Sequence, residues 1–334
     1  MAPITKVKQS NTESLPAFIP DDTVAVFIGA TSGIGEATLK QFVIAAKGKT
    51  PRVYVVGRSA VKSAPLLEEL ERTDPAAKIE FIEKDGSLLR DIDAATTLIR
   101  KSETKVDLLF ISIGFISFEG RIETSEGLEP SMTTRFYSRA LAIQKLLPLL
   151  NNSENPRVNN VLAGGMESTI DLDDLDLAKP GNYSIAKAAV HSATMLTLML
   201  EKWAKENPKI SFVHSYPGFV RTPILSRASR GISGLLLRNF VSPLVNTLFA
   251  MSAEDAGARA LFQATNARYT VDAKTSLSPP IPEGLSKATM TAGGVFLVNQ
   301  HSEITDNEKI LKELRISSAG PVSAHFENIV ARTL

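Results

Sequence analysis

A regular alternation between short β-branched runs and longer helical patterns begins at residue 23 and limits the possible folds more than any other feature. Because neighbouring parallel strands need long crossover connections, this rhythm predicts a parallel sheet with helices on both faces. We expect an α/β fold of the doubly wound, Rossmann type, with about seven strands flanked by helices. The predicted strands are 23–29, 52–57, 78–85, 106–112, 157–163, 210–218 and 293–299, and the predicted helices are 34–47, 64–72, 88–101, 128–150 and 183–206.

The domain organisation is simple. The 334 residues contain no internal repeat and no Gly/Ser linker, so we expect a single domain over 22–334. Residues 1–21 lack the continuous apolar stretch of a secretory signal, and we expect a mobile N-terminal arm or a short strap there. The stretch 221–250 departs from the alternation and is rich in Leu and Phe. We interpret it as a lid over an apolar substrate, with a membrane-touching helix as the alternative.

Composition excludes several classes of function. The 37 basic and 36 acidic residues give a net charge of +1, which removes a bulk electrostatic case for binding nucleic acid. The chain has no cysteine, which excludes thiol chemistry and is compatible with the cytoplasmic location that we expect. The longest apolar stretch is interrupted by Arg238, Asn239 and Pro243, so we expect no stable membrane insertion.

A glycine-rich turn, GATSGIG (Gly29 to Gly35), joins the first predicted strand to the first helix. Glycines permit a tight turn there and let backbone N–H groups approach a pyrophosphate at the helix N-terminus. A purely structural turn is the alternative. The position of the turn favours a dinucleotide site, because a doubly wound sheet binds dinucleotide phosphates after its first strand.

The end of the second predicted strand bears on the choice of cofactor. An acidic residue there would hold a ribose 2′-hydroxyl, but this strand ends in VVGRSAV, with Arg58 and no acid. A guanidinium suits a 2′-phosphate, so we predict NADP(H) rather than NAD(H). The alternative is that Arg58 is a solvated surface residue.

Tyr183 precedes Lys187 by four residues at the start of a predicted helix, so we expect both side chains on one helical face. A phenol with a pKa near 10 is a poor acid or base at neutral pH, and a nearby ammonium favours the phenolate. A phenol tuned in this way can exchange a proton with a carbonyl oxygen. Because a tyrosine and a lysine at this spacing often occur by chance, the pair needs support from other motifs.

That support comes from the order of three motifs: the glycine turn, the Tyr183/Lys187 helix, and SYPGFVRTP after the sixth predicted strand. Together they resemble the short-chain dehydrogenase/reductase family over about residues 22 to 300. The resemblance implies Tyr183 as acid/base, and Lys187 as the residue that holds the nicotinamide ribose and lowers the pKa of Tyr183. It also implies the cofactor contacts Gly29, Ser32, Gly33, Ile34 and Gly35 at the pyrophosphate, Asp85 at the adenine, Gly114 after the fourth strand, and Pro217, Val220 and Thr222 at the carboxamide.

The chain departs from the family pattern at three places. Ser112 and Gly114, in ISIG, stand in the usual N-[AN]-x-G motif, and Arg135 stands at the supporting asparagine. Ala163 replaces the catalytic serine at the end of the fifth strand. Losing one donor aimed at a developing oxyanion costs about 10²–10³ in kcat. Ser168 and Thr169, on the loop beyond, are the candidates to supply the missing hydroxyl, and the alternative is that these polar loop residues face water.

Several further expectations complete the interpretation. The chain resembles a fungal branch of the family that is associated with tailoring of secondary metabolites, which implies a medium-sized apolar carbonyl or alcohol as substrate. The helices 128–150 and 183–206 often pair across a twofold axis in this family, so we expect a homodimer, with a monomer as the alternative. We interpret His191 as a packing residue, and we predict no metal at the acidic run Asp171, Asp173, Asp174 and Asp176.

Three functions follow from these features. The first is an NADP(H)-dependent oxidoreductase that interconverts a carbonyl and a secondary alcohol. The second is a non-redox isomerase, cyclase or dehydratase that uses Tyr183 and Lys187 for proton transfer, and it is motivated by the donors missing at Ala163 and Arg135. The third is a catalytically inactive nucleotide-binding protein.

Overall fold

The computed structural model describes residues 1–116, 120–222, 251–271 and 277–334. The predicted lid at 221–250 lies outside the described residues, except for Arg221 and Thr222. One sheet contains the strands β1 (Val24–Ile28), β2 (Arg52–Gly57), β3 (Lys78–Glu83), β4 (Leu108–Ile111), β5 (Arg157–Val161), β6 (Ser211–Ser215) and β7 (Val295–Val298).

The strand order is β3-β2-β1-β4-β5-β6-β7, and each neighbouring pair is parallel. The doubly wound fold is therefore confirmed. The order reverses between β1 and β4, whose carboxyl ends frame the crevice in which such sheets bind ligands. Strands β1, β4 and β5 are buried along their whole length, as expected for parallel strands that are covered on both faces.

Helices cover both faces of this sheet. The helices are α1 (Ile4–Gln9), α2 (Gly33–Ala45), α3 (Ala60–Thr73), α4 (Leu89–Ser102), α5 (Pro130–Met132), α6 (Ser138–Asn151), α7 (Ile185–Glu206), α8 (Ala253–Thr265), α9 (Glu308–Ser317) and α10 (Ala319–Thr333). Side chains of β1 enter the core on both faces, and this core includes α4, α6, α7, α9 and α10 on one face and α2, α3 and α8 on the other. A π-helical turn, Thr133–Tyr137, joins α5 to α6.

The N-terminal segment is a packed strap rather than a mobile arm. Helix α1 leads into a π-helical turn, Ser10–Ser14, and Val7 and Leu15 are buried. The Asn11 side chain donates to the carbonyl of Ala258 at 2.8 Å, which ties the segment to α8. Because these apolar and amide groups find partners on the folded domain, the segment is fixed in place.

The C-terminal helix α10 lies on the helices for which we expected a twofold seam. Phe326 packs edge-on against Trp203 of α7 and against Phe136 of the π-helical turn, with ring centroids 6.4 and 6.0 Å apart. Lys202 also donates to Ser323 at 2.9 Å. Part of the expected seam is thus covered by the chain's own residues, and the homodimer stays a prediction.

The length and polarity of the helices also bear on membrane contact. Within the described ranges, no helix combines the length and apolar character that crossing a membrane requires.

Candidate active site

The glycine turn lies at the carboxyl ends of β1 and β4 and accepts no other residue at its first position. Gly29 has a φ of +87°, and a Cβ on it would lie 2.4 Å from Cγ2 and 2.5 Å from N of Ile113. Gly33 has a φ of +62°. Both positions therefore exclude side chains, by close approach at Gly29 and by backbone conformation at both.

The turn is locked to β4 by Ser112. The Ser112 hydroxyl donates to the carbonyl of Gly29 at 3.2 Å, and a Cβ on Gly35 would lie 2.4 Å from that hydroxyl oxygen. Helix α2 begins at Gly33, with Ser32 at its N-cap. The first backbone N–H groups of α2, at Gly33, Ile34 and Gly35, have no acceptor within the helix and suit a pyrophosphate.

The motif after β6 reaches the same turn. Val220 bridges Met251 in parallel, and the N–H of Arg221 donates to the carbonyl of Met251 at 2.9 Å. This places Thr222 against the turn, because a Cβ on Gly33 would lie 2.9 Å from Cγ2 of Thr222. The structure thus brings the glycine turn, the end of β4 and the Pro217–Thr222 segment together at the carboxyl ends of β1 and β4, the place where doubly wound sheets bind dinucleotides.

Arg58 and Asp85 follow β2 and β3 at the same edge. Arg58 is exposed directly after Gly57, and a Cβ on Gly57 would lie 2.7 Å from Cγ2 of Thr31 in the glycine turn. Asp85 is partly buried, and its Oδ1 accepts from the N–H and the hydroxyl of Ser87 at 2.9 and 2.8 Å. Gly114 lies exposed three residues beyond β4.

Tyr183 and Lys187 do not share a helical face, and this expectation is wrong. Helix α7 begins at Ile185, because the Ser184 hydroxyl caps it by accepting from the N–H of Lys187 at 3.2 Å. The Lys187 ammonium donates to Oδ1 of Asn182 at 2.5 Å. Lys187 is therefore held on the Asn182 side, and Tyr183 precedes the helix.

The Tyr183 hydroxyl faces the segment that begins α5. It is buried and makes no hydrogen bond to any described residue. Burial raises the pKa of Tyr183 to about 12, and the Glu129 carboxyl adds to the rise, while Ser131 and Arg135 act in the opposite direction. The phenol is consequently protonated at neutral pH, and the largest shifts of its pKa come from burial, Glu129, Ser131 and Arg135 rather than from Lys187.

Glu129 caps α5 and is itself poorly hydrated. It is 2% exposed, and its Oε2 accepts from the N–H of Met132 at 2.7 Å, which satisfies an orphan helix donor. Its Oε1 is buried without a hydrogen-bond partner among the described residues. Burial raises the pKa of Glu129, so its carboxyl holds a proton more readily than an exposed glutamate does.

Two arginines line the helical stretch beyond Glu129. Arg135 lies in the π-helical turn, and burial lowers its pKa. Arg139, which is 1% exposed, donates to the carbonyls of Ile111 at 3.2 Å, Thr134 at 3.0 Å and Ile113. Burial, with a contribution from Arg135, lowers the pKa of Arg139 to about 9. Arg139 thereby fixes the end of β4 to the π-helical turn.

Ala163, where the family serine is expected, is held by a buried chain of hydrogen bonds. Its N–H donates to Nε2 of His214 at 3.1 Å, so Nδ1 of the neutral ring carries the proton and donates to the Thr197 hydroxyl at 2.8 Å. That hydroxyl donates to Oε1 of Glu167 at 2.7 Å. Burial lowers the pKa of His214 to about 3. The 3.8 Å approach of His214 Nδ1 to Glu167 is accordingly not an ion pair.

Ser168 does not reach Tyr183. Its N–H donates to the Thr194 hydroxyl at 3.0 Å, and its side chain is exposed. The hydroxyl that acts on the phenol belongs to Ser131, which sequence reasoning missed along with Glu129. A signal was present, since Pro130 is typical of the first position of a helix and would have placed Ser131 one turn from Arg135.

An open cavity of about 400 Å³ lies beside Lys187. It lies between the loop carrying Thr169 and Ile170 and the face of α7 carrying Ala186 and Val190, and these groups are mainly apolar. His191 closes one side, where its Nε2 accepts from the N–H of Asp171 at 3.2 Å. The packing role expected for His191 agrees with this contact, and burial lowers its pKa.

The acidic run organises its own loop. Asp174 accepts from the N–H groups of Ala178 and Lys179 and from the Asn182 amide, at 2.7, 3.1 and 2.6 Å. Across the described parts of the chain, no three His, Asp or Glu side chains converge in a way that would hold a metal ion.

Comparison with known proteins agrees with this geometry. The sequence profile of the short chain dehydrogenase family matches residues 23–232, and the chain belongs to that family. It is 44% identical to the NmrA-like family domain-containing oxidoreductase notO of an Aspergillus species, over 94% of this chain and 90% of the relative. It is 36% identical to oxidoreductase AN1596 of Emericella nidulans, over 93% and 92% of the two chains. The expected likeness to fungal members of the family, and the prediction of an enzyme of this family, are thereby confirmed.

Solved structures share the fold at low identity. A short-chain dehydrogenase from Sphingobium yanoikuyae, solved in complex with NADPH, matches with a TM-score of 0.53 at 17% identity. The match covers 79% of this chain and 89% of that one.

Proposed function

We propose that the protein is an NADP(H)-dependent oxidoreductase of the cytoplasm that interconverts a carbonyl and a secondary alcohol on a medium-sized apolar substrate. We further propose that it tailors a fungal secondary metabolite. The observation that carries this proposal is the glycine turn at Gly29 and Gly33, with Thr222 packed against it. Tyr183, which is protonated at neutral pH, would be the proton donor. The likeness to fungal oxidoreductases supports it.

Three features support NADP(H) as the cofactor, which would supply or accept a hydride when bound. The Gly29–Gly35 turn and the N-terminus of α2 would hold its pyrophosphate. The exposed guanidinium of Arg58 would bind a 2′-phosphate, for which a planar fork of donors is suited. The structural relative from Sphingobium was solved with NADPH.

The protonated state of Tyr183 suits the direction of reduction. At neutral pH the phenol carries the proton that a carbonyl oxygen would receive. Because a pKa of about 12 makes the phenol a weak acid, positive charge near the developing phenolate would have to assist the transfer. In this step the carbonyl carbon would take the hydride that NADPH supplies when bound, the carbonyl π bond breaks, the O–H bond of the new alcohol forms, and Tyr183 is left as a phenolate. Burial of the hydroxyl keeps bulk water from competing for that proton.

The cavity beside Lys187 supports an apolar substrate. Ile170, Ala186 and Val190 line it, and a volume of about 400 Å³ suits a molecule of moderate size. Polar groups at its rim, such as Thr169, would orient the substrate rather than hold it by charge.

Tyr183→Phe tests this proposal. We expect kcat for NADPH-dependent reduction, measured by nicotinamide absorbance with a panel of apolar ketones, to fall by about 10²–10⁴. NADPH affinity, measured by isothermal titration calorimetry, should stay within about twofold, because the phenol is not part of the glycine cradle. Wild-type turnover in the variant, or failure of the wild type to bind NADPH, would contradict the proposal.

One observation favours a second candidate, a non-redox isomerase, cyclase or dehydratase. Glu129, a carboxyl whose pKa is raised, faces the protonated phenol of Tyr183, and Ala163 offers no hydroxyl. Two acids with different proton affinities are the components of proton transfer without hydride transfer. Substrate conversion that continues with no change in nicotinamide absorbance would favour this candidate.

A further inference from the structure

Four side chains form a cluster that we call the phenol pocket: Glu129, Ser131, Arg135 and Tyr183. Glu129 and Ser131 are 2% and 3% exposed, and the Tyr183 hydroxyl is buried. Three of them come from one short segment, where α5 runs into the π-helical turn. π-Helical turns are rare and frequently occur at functional sites.

We propose that Glu129, Ser131 and Arg135 set the proton affinity of Tyr183 and replace the serine and asparagine that most of the family uses. This inference rests on the proposed function of Tyr183 as the proton donor. It assigns a role to two residues, Glu129 and Ser131, that no family motif indicates, and it explains how a chain with Ala163 and Arg135 at the usual positions works.

The first argument is the lack of hydrogen-bond partners. Oε1 of Glu129 and the hydroxyl of Tyr183 are both buried, and neither makes a hydrogen bond of good geometry to a described residue, although the two groups lie close enough to interact with each other. Leaving a buried polar atom unpaired costs about 1–3 kcal/mol, so such atoms in a folded protein need an explanation. A substrate oxygen bound between them would accept from the phenol and satisfy the pocket.

The second argument is the balance of charge. Burial is the largest cause of the raised pKa of Tyr183, and the Glu129 carboxyl adds to the rise, whereas Arg135 lowers the pKa. Arg135 makes no hydrogen bond or ion pair with any residue in the described ranges, so its charge is available to the phenolate that proton donation creates. Ser131 can donate a hydrogen bond to the same oxygen.

Other charged groups near the pocket are already engaged. Arg121 acts on Glu129 but pairs with Glu123, and the Arg139 guanidinium is bound by backbone carbonyls. On the α7 side the Lys187 ammonium is bound to Asn182. Among the charged groups of the described residues, Glu129 and Arg135 both act on the phenol of Tyr183.

Titration of the Tyr183 phenol tests the inference directly. With ring-labelled tyrosine, the Tyr183 NMR signal is assigned by its loss in Tyr183→Phe and is followed against pH. Glu129→Gln removes the negative charge while its amide oxygen can still cap α5, and we expect the pKa of Tyr183 to fall by about one unit. Wild-type Tyr183 titrates near pH 12, so the other changes are made in the Glu129→Gln background. There Arg135→Met and Ser131→Ala should each raise the pKa again.

Matched controls separate this effect from general destabilisation. Glu71→Gln and Arg72→Met change the same residue types on the exposed face of α3, and we expect neither to move the pKa of Tyr183. Arg135→Lys keeps the charge and should restore most of the shift that Arg135→Met causes. A loss of fold would change the titration of all five tyrosines of the chain, whereas the inference predicts opposite pKa shifts at Tyr183 alone.

The outcomes distinguish the inference from the proposed function. Opposite shifts from Glu129→Gln and Arg135→Met support the pocket, even if no ketone is reduced. A pKa of Tyr183 that does not respond to either change overturns the inference, even if Tyr183→Phe abolishes reduction. In active enzyme we also expect the alkaline limb of the kcat profile to move to lower pH in Glu129→Gln.

Discussion

The crevice at Gly29–Gly35 and the phenol pocket differ in what builds them. The crevice is made of backbone: positive φ angles, a helix N-terminus and missing Cβ atoms at Gly29 and Gly33. The phenol pocket is made of side chains brought from positions about fifty residues apart, and two of its oxygens, Oε1 of Glu129 and the Tyr183 hydroxyl, are left without a hydrogen bond of good geometry. Both regions keep hydrogen-bonding capacity free, the first in backbone N–H groups and the second in side-chain oxygens.

The largest expected effect concerns the backbone region. Gly29→Ala adds a Cβ 2.5 Å from the backbone nitrogen of Ile113 at a φ of +87°, and we expect it to cost about 2–5 kcal/mol of unfolding free energy and to abolish NADPH binding. Gly48→Ala is the matched control, because Gly48 has a φ of +85° with nothing within 4 Å. It should cost only about 1–2 kcal/mol. If Gly29→Ala and Gly48→Ala lost the same free energy of unfolding in urea denaturation, the close approach of Ile113 to Gly29 would not be what excludes a side chain there.

The same contrast explains how far the sequence could predict the site. Glycine spacing reports backbone geometry directly, so the turn between β1 and α2 followed from its motif, and the alternation of strands and helices predicted the doubly wound sheet. The Tyr183 environment depends on where a helix begins. Ser184 is a better N-cap than Tyr183, and this local preference places Tyr183 before the first turn of the helix that carries Lys187. Nothing in the spacing of Ser168 and Ser131 indicates which hydroxyl faces the phenol, because that depends on tertiary packing.

A second prediction concerns the loop that replaces the usual serine. The pKa of His214 is about 3 in the fold and near 6.5 when unfolded, so the unfolded chain binds more protons between these values. Stability is therefore intact above pH 6.5 and falls as the pH drops, by about 2 kcal/mol at about pH 5. In His214→Gln, whose amide oxygen can still accept from Ala163, this loss should disappear from the urea denaturation series. An unchanged pH slope would mean that His214 is not buried as a neutral ring.

Arg58 provides a sharper test of the backbone region, because it is the one predicted cofactor contact there made by a charged, exposed side chain. Arg58→Ala should weaken NADPH binding by about tenfold, the lower end for a charged hydrogen bond at an exposed site, and leave NADH binding unchanged. Arg72→Met is the control for loss of an exposed arginine. Equal weakening of both nucleotides would assign Arg58 to a general role rather than to the 2′-phosphate.

The smallest expected effect is that of Lys187→Met on the pKa of Tyr183. It tests whether the phenol pocket or the Tyr183/Lys187 pair of the family motif sets that pKa. The Lys187 ammonium is bound to Asn182 and is not among the groups that shift the pKa of Tyr183 most. In the cofactor-free protein, Lys187→Met should therefore leave the Tyr183 titration unchanged, whereas Glu129→Gln moves it. A rise in the Tyr183 pKa in Lys187→Met would show that the ammonium does act on the phenol. The contrast between the two regions would then weaken, because the spacing of Tyr183 and Lys187 would again determine the chemistry of the phenol.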